Sequence, residues 1–98
     1  MAKIKWTVQA AEDMESIVDF IAQDSTHYAC LFAIDIFESL NHIARFPLSG
    51  RIVPEARNPI IRELILGNYR LVYRFRKDLI EILTLYHSAR IFNINKLE

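Results

Sequence analysis

Arg62, Arg70, Arg74, His87 and Arg90 are the side chains whose types suit chemistry on an anion. A guanidinium keeps its charge near neutrality and offers a planar fork of donors that matches a phosphate or a carboxylate. An imidazole titrates near neutrality and can move a proton. Gathered on one surface, these groups could act on a phosphodiester or hold the carboxylates of another protein. Each also has a structural role open to it. Arg74 can pair across two strands with Glu81, a contact of a few tenths of a kcal/mol. Arg70 can reach a helix acid such as Asp19 or Glu15. His87, in the run YHSAR, can act as an acid or base or serve as a structural hydrogen-bond donor. Other catalytic sets have no support. Cys30 falls near the apolar side of a helix, where a buried thiol is inert. Three histidines lack metal-ligand spacing, and Gly50 and Gly67 alone make no phosphate-cradling loop. No metal or cofactor is expected.

The elements that must position these groups begin near residue 60, where the apolar period becomes two. IIRELIL, YRLVYRF and LIEILTLYH read as three strands. Gly67-Asn68 and Lys77-Asp78 are two-residue hairpin turns. The second turn sets a register with Arg74 opposite Glu81 and Arg70 opposite Leu85. One face then carries Tyr69, Leu71, Tyr73, Phe75, Ile80, Ile82 and Tyr86. The other carries Arg70, Val72, Arg74, Leu83 and His87. A one-residue change in register swaps the faces.

Upstream, KIKWT alternates as a short strand would. Thr7 can cap a following helix, with Glu12 and Asp13 near its positive end. Met14, Ile17, Val18 and Ile21 give the segment 9–23 one apolar face. Ser25 can cap a second helix from Thr26 to Arg45. Its core face is Ala29, Ala33, Ile36, Leu40, Ile43 and Ala44, opposite Asp35, Glu38, Asn41, His42 and Arg45. Tyr28, Leu31 and Ile34 form a separate row on the polar side. Either a wide core absorbs that row, or it is exposed and marks a partner surface. Pro47 ends the helix, and PLSGRIVPEARNP reads as a loop. The fold class is α+β: a short N-terminal strand, a helical hairpin, then a three-stranded antiparallel meander.

Composition sets outer bounds. The 98 residues, 52% of them apolar, suit a single domain over 1–98 with its own core. The net charge is zero but unevenly spread. Residues 1–44 carry seven carboxylates and two lysines, whereas residues 45–98 carry ten cations and five carboxylates. The basic half can face an acidic partner, or the halves can neutralise each other within the fold. A lone cysteine, no charged-then-apolar leader and no long apolar run make a cytoplasmic location the expectation.

W-x4-AED (Trp6 to Asp13), DFIAQDS, FPLSGRIVPE, REL at 62–64, GNYRLVYR at 67–74 and YHSAR at 86–90 follow one another along nearly the whole chain. In that combination the sequence resembles the ParE branch of the RelE/ParE toxin superfamily. The resemblance implies a strand, a helical hairpin and a curved sheet. It also implies a cognate antitoxin, ParD-like or similar, whose tail wraps the toxin, in a heterotetramer or a larger complex. ParE-like members are thought to poison DNA gyrase by protein contact. RelE-like members cleave mRNA on the ribosome, and this is the alternative activity. Three features favour the ParE branch. The RelE-type arginine before the turn falls at Ile65, the tail IFNINKLE has no tyrosine, and the chain lacks the strong positive charge that phosphate contacts reward. For a nuclease the catalytic set would be His87, Arg90 and Arg70. For a binding toxin, Arg62, Arg70, Arg74, Arg90, Leu31 and Ile34 would contact the antitoxin or the target.

Overall fold

The computed structural model describes residues 1–89. Strand β1 (Lys3–Trp6) leads into helices α1 (Val8–Asp24) and α2 (Thr26–Arg45). Strands β2 (Arg51–Ile52), β3 (Ile61–Leu66), β4 (Tyr69–Arg76) and β5 (Leu79–His87) follow. They form one five-stranded sheet in the order β1-β5-β4-β3-β2. The antiparallel β3-β4-β5 meander is its centre. The sheet is larger than that meander and mixed in direction: β1 adds in parallel to β5, and β2 pairs antiparallel with β3. β2 lies within the stretch expected to be a loop, and its two residues, between Gly50 and Val53, carry too little periodicity to read.

The helix boundaries follow from local chemistry. The Thr7 hydroxyl accepts from the Ala10 N–H and donates to the Ile82 carbonyl at 2.7 Å, so one side chain both caps α1 and ties it to the sheet. Ser25 ends α1 and caps α2, its hydroxyl accepting from the Tyr28 N–H. The helices lie on one face of the sheet. Ala10, Ile36, Leu40 and Ile43 bury against Leu71, Tyr73, Ile80, Ile82 and Leu85, with Met14 and Ile17 at the margin. The other face carries a smaller core in which Val53, Ala56 and Ile61 pack on Val72, Leu83 and Tyr86. The segment after β2 therefore covers part of the outer face.

The turns set most of the register. Lys77 and Asp78 both take positive φ, 52° and 61°, the geometry that matches strand twist in a two-residue hairpin. In the other turn Gly67 takes φ 61°. Arg74 stands opposite Glu81, as the turn dictates. Further along, Tyr73 pairs with Ile82 but Val72 pairs with Thr84. Leu83 is thus an extra residue in β5, and beyond it the register differs from the expected one. Arg70 faces Tyr86 rather than Leu85, and Tyr69 faces His87.

Asp13 is tied to the same region. Its carboxylate accepts from the Thr84 hydroxyl at 2.7 Å and the Leu85 N–H at 3.1 Å. β1 pairs with β5 only as far as Ile82, so Asp13 satisfies the strand edge that β1 leaves open. Asp13 and Glu12 lie beyond the first turn of α1, and the sheet edge, not the helix dipole, is what Asp13 serves.

Candidate functional site

The outer face of the sheet brings together two of the singled-out cations, Arg70 and Arg74, with further lysines and arginines. Pairing places Lys3 and Lys5 on β1, Arg51 on β2, and Arg70, Arg74 and Arg76 on β4 around the two carboxylates Glu63 and Glu81. Arg74 directs Nε and Nη2 at one oxygen of Glu81, at 3.1 and 2.9 Å, and Arg76 lies 3.7 Å from the same oxygen. The Arg74–Glu81 pair expected from the turn is therefore present. It neutralises only part of the charge, and Lys3, Lys5, Arg51 and Arg76 remain exposed.

Arg70 has no helix acid as its partner. Asp19 and Glu15 belong to the helix layer on the opposite face, whereas Arg70 lies 3.7 Å from Glu63, a residue only 2% exposed. Arg51 binds the other oxygen of Glu63 through Nε at 2.8 Å and through Nη2. The buried carboxylate thus sits between two guanidiniums, which offset its desolvation. Arg70 also stands opposite Tyr86 in the ladder. Burial pushes the Tyr86 hydroxyl's pKa up, and Arg70 opposes the shift.

Arg62 does not share this face. Adjacent residues of a strand point to opposite sides, and Arg62 pairs with Tyr73 of the helix-side core. Its guanidinium donates to the carbonyls of Pro59, Leu48 and Gly50. Beside it the Tyr73 hydroxyl donates to the Pro47 carbonyl at 2.7 Å and accepts from the Gly50 N–H at 3.0 Å. Gly50 has to be glycine, since a Cβ there would come within 2.5 Å of the Tyr73 oxygen and 3.0 Å of a backbone carbonyl. Arg62 and Tyr73 together fasten the loop after α2 to the sheet.

His87 leaves the arginine face as a consequence of the extra Leu83. It packs edge-on to Tyr69, 5.3 Å between ring centres, and Tyr69 packs on Phe32 of α2. Its Nδ1 accepts from the Ala89 N–H at 3.1 Å. That makes the imidazole a structural acceptor, where a donor had been expected. His87 and Arg70 point to opposite sides of the sheet. Tyr86 moves the other way, into the outer core. Arg90 and the tail IFNINKLE lie outside the described residues.

The row on α2 is exposed. Tyr28, Leu31 and Ile34 are 66, 41 and 46% exposed, and Phe37 and Phe20 are similarly open. Leu31 also lines a groove between α2 and the β3–β4 turn. Phe37 was missed although it continues the Tyr28, Leu31, Ile34 row at the next i+3 step, and Phe20 of α1 was missed as well. Cys30 is exposed rather than buried, because it shares the face of α2 turned away from the sheet with Phe37, about two helical turns on. Among the described residues no helix is long and apolar enough to cross a membrane.

Comparison with known proteins places this geometry. The family described as the ParE toxin of the type II toxin–antitoxin system parDE matches residues 4–92. Y4kP of Sinorhizobium fredii, named as a candidate toxin, is 32% identical over 88 residues, covering 88% of each chain. A solved chain of the chromosomal ParDE toxin–antitoxin system from P. aeruginosa superposes with a TM-score of 0.70 at 26% identity, over 89% of this chain and 96% of that one. The strand, helical hairpin and curved sheet are thus shared in sequence and in shape, and the chain belongs to the ParE toxins of type II toxin–antitoxin systems.

Proposed function

We propose that this ParE-type toxin acts by inhibiting DNA gyrase through direct protein contact, and that a cognate antitoxin neutralises it by covering its binding surfaces. The observation that carries the reading is the separation of His87 from Arg70 and Arg74. A phosphodiester bound by the arginines on the outer face is out of reach of an imidazole on the helix side that already accepts from its own backbone. Binding needs no such convergence.

The surfaces suit two kinds of contact. Leu31 and Ile34, with Tyr28 and Phe37, offer an apolar helix face to an antitoxin helix. Arg70, Arg74 and their exposed neighbours keep the outer face positive, which attracts an acidic antitoxin tail. Arg62 and Arg90 complete the proposed contact set. The structural neighbour belongs to a ParDE toxin–antitoxin system, which supports an antitoxin partner, and the paired assembly would be a heterotetramer or larger, within the cytoplasm.

Induction of the chain alone in bacteria tests the reading. An SOS response with filamentation and cleaved DNA, while translation persists, is expected. Rapid translation arrest with cut mRNA would assign the chain to ribosome-dependent cleavage instead.

A further inference from the structure

We propose that the open edge of β3 is a strand-addition site for an extended segment of a partner protein that presents apolar and basic side chains to α2. This rests on the reading of the chain as a toxin that acts by binding protein, and it adds a surface whose charge is opposite to that of the arginine face.

Among the described residues β3 has no outer neighbour beyond Glu63. β2 pairs only with Arg62 and Glu63, and the Val53 N–H donates to the Ile61 carbonyl. In an antiparallel ladder, alternate residues turn their N–H and C=O to opposite sides. Ile61 bonds outward to Val53, so Ile65, four residues on, also points its N–H and C=O outward, where no strand among the described residues receives them. Its side chain is 51% exposed. The sheet's other edge is guarded. Lys3 and Lys5 lie on β1, and Asp13 occupies the Leu85 N–H where β1 ends. Charged residues and capped N–H groups are how natural sheets close an edge, and the stretch Leu64–Leu66 carries neither.

A groove of about 770 Å³ runs along this edge. Its walls are Leu31 and Phe32 of α2 and Leu64, Leu66 and Tyr69 of the hairpin, so it accepts apolar side chains. Asp35 and Glu38 line it as well, and among the described residues no lysine or arginine does. That charge decides the occupant. A second copy related by a two-fold axis would set Asp35 and Glu38 near their own counterparts. A segment with lysine or arginine on its helix-facing side supplies the missing cations while its backbone pairs with Ile65.

The test is an amide-resolved NMR titration of the full chain with two synthetic peptides, KTLTKTLTK and its acidic counterpart ETLTETLTE. Both present leucine and charge on one strand face and threonine on the other. The lysine peptide is expected to shift the amides of residues 64–67 and 35–38 and to slow exchange at the Ile65 N–H. The glutamate peptide is expected to leave them unmoved. Ile65→Pro removes the outward donor without touching the β3–β4 ladder and loses the response, whereas Ile65→Thr keeps it. The double variant Asp35→Lys, Glu38→Lys leaves the backbone intact and reverses the preference between peptides. Equal response to both peptides, shifts confined to the outer face, or no shift at β3 overturns the proposal. Gyrase inhibition is measured separately on the wild-type chain. Its presence with a silent β3 edge overturns this site alone, and its absence with a responsive edge overturns only the gyrase reading.

Discussion

Arg70 stands opposite Tyr86 in the β4–β5 ladder, and its guanidinium opposes the rise that burial gives the tyrosine's pKa. The pairing exists because Leu83 is an extra residue in β5. The same residue sends His87 to the helix side, so a single insertion in one strand decides whether an imidazole and two arginines share a surface. It also gives Arg70 a structural duty, beside Tyr86 and the buried Glu63. Loss of toxicity in Arg70→Ala would therefore report on the fold as well as on contact.

Glu63 is the largest charge liability in the structure. Removing its carboxylate leaves the part-buried Arg70 with an uncompensated charge, and breaking a buried ion pair from one side costs about 3–5 kcal/mol. Glu63→Ala is expected to lower the unfolding free energy by about that much, seen as a lower denaturant midpoint. Arg51→Ala should cost less, since the Arg51 side chain is 58% exposed and Arg70 remains to offset the carboxylate. Equilibrium urea unfolding of the two variants checks the order.

Alkaline pH should destabilise the chain through two tyrosines. Burial raises the hydroxyl pKa of Tyr73, against the Gly50 hydrogen bond and the Arg62 charge. Burial likewise raises that of Tyr86, against Arg70. An unfolded tyrosine ionises near about pH 10, whereas the folded hydroxyls hold their protons longer. The stabilisation is full below that value and is lost as pH rises through the folded values. Unfolding free energy measured from about pH 8 to about pH 11 should fall at the upper end. Tyr86→Phe should shallow that fall.

Asp13→Ala should cost about 1–3 kcal/mol, because it leaves the Leu85 N–H and the Thr84 hydroxyl without their acceptor. Asp13→Asn keeps an acceptor oxygen and should cost less. Hydrogen exchange at Leu85 measures the effect directly, with faster exchange expected in Asp13→Ala than in Asp13→Asn.

Much of this architecture was legible in the residues themselves. Thr7 and Ser25 announce the helix starts, the span Thr26–Arg45 ends before Pro47, and Lys77-Asp78 fixes Arg74 against Glu81. These depend on neighbours in sequence. What was not legible depends on contacts far along the chain. No glycine or proline marks the bulge at Leu83, so strict alternation put Tyr86 and His87 on each other's faces. Glu63 reads as an ordinary polar position in an alternating strand, and nothing local reveals that Arg51 returns to cover it. Arg62 was grouped with Arg70 and Arg74 by residue type, yet strand parity sends it to the opposite side. Strand β1 was legible as a segment, but its parallel pairing with β5 was not.

The exposed row on α2 predicts a separation of stability from binding. Leu31→Asp and Ile34→Asp replace side chains that are 41 and 46% exposed. Each should change unfolding free energy by less than about 0.5 kcal/mol, yet weaken capture of a co-expressed antitoxin. Calorimetric titration alongside thermal unfolding distinguishes the two effects. Unchanged antitoxin affinity in both variants would remove this helix face from the interface.

The central claim is that the chain acts by protein contact and not by cutting RNA. The most direct measurement adds the purified chain to DNA gyrase and supercoiled plasmid, and in parallel to programmed ribosomes with a labelled message. The same pair of reactions is run with His87→Ala. The account predicts inhibited supercoiling with accumulation of cleaved DNA, intact message, and equal potency of the His87 variant. Cleaved message that disappears in His87→Ala, with gyrase unaffected, would contradict it.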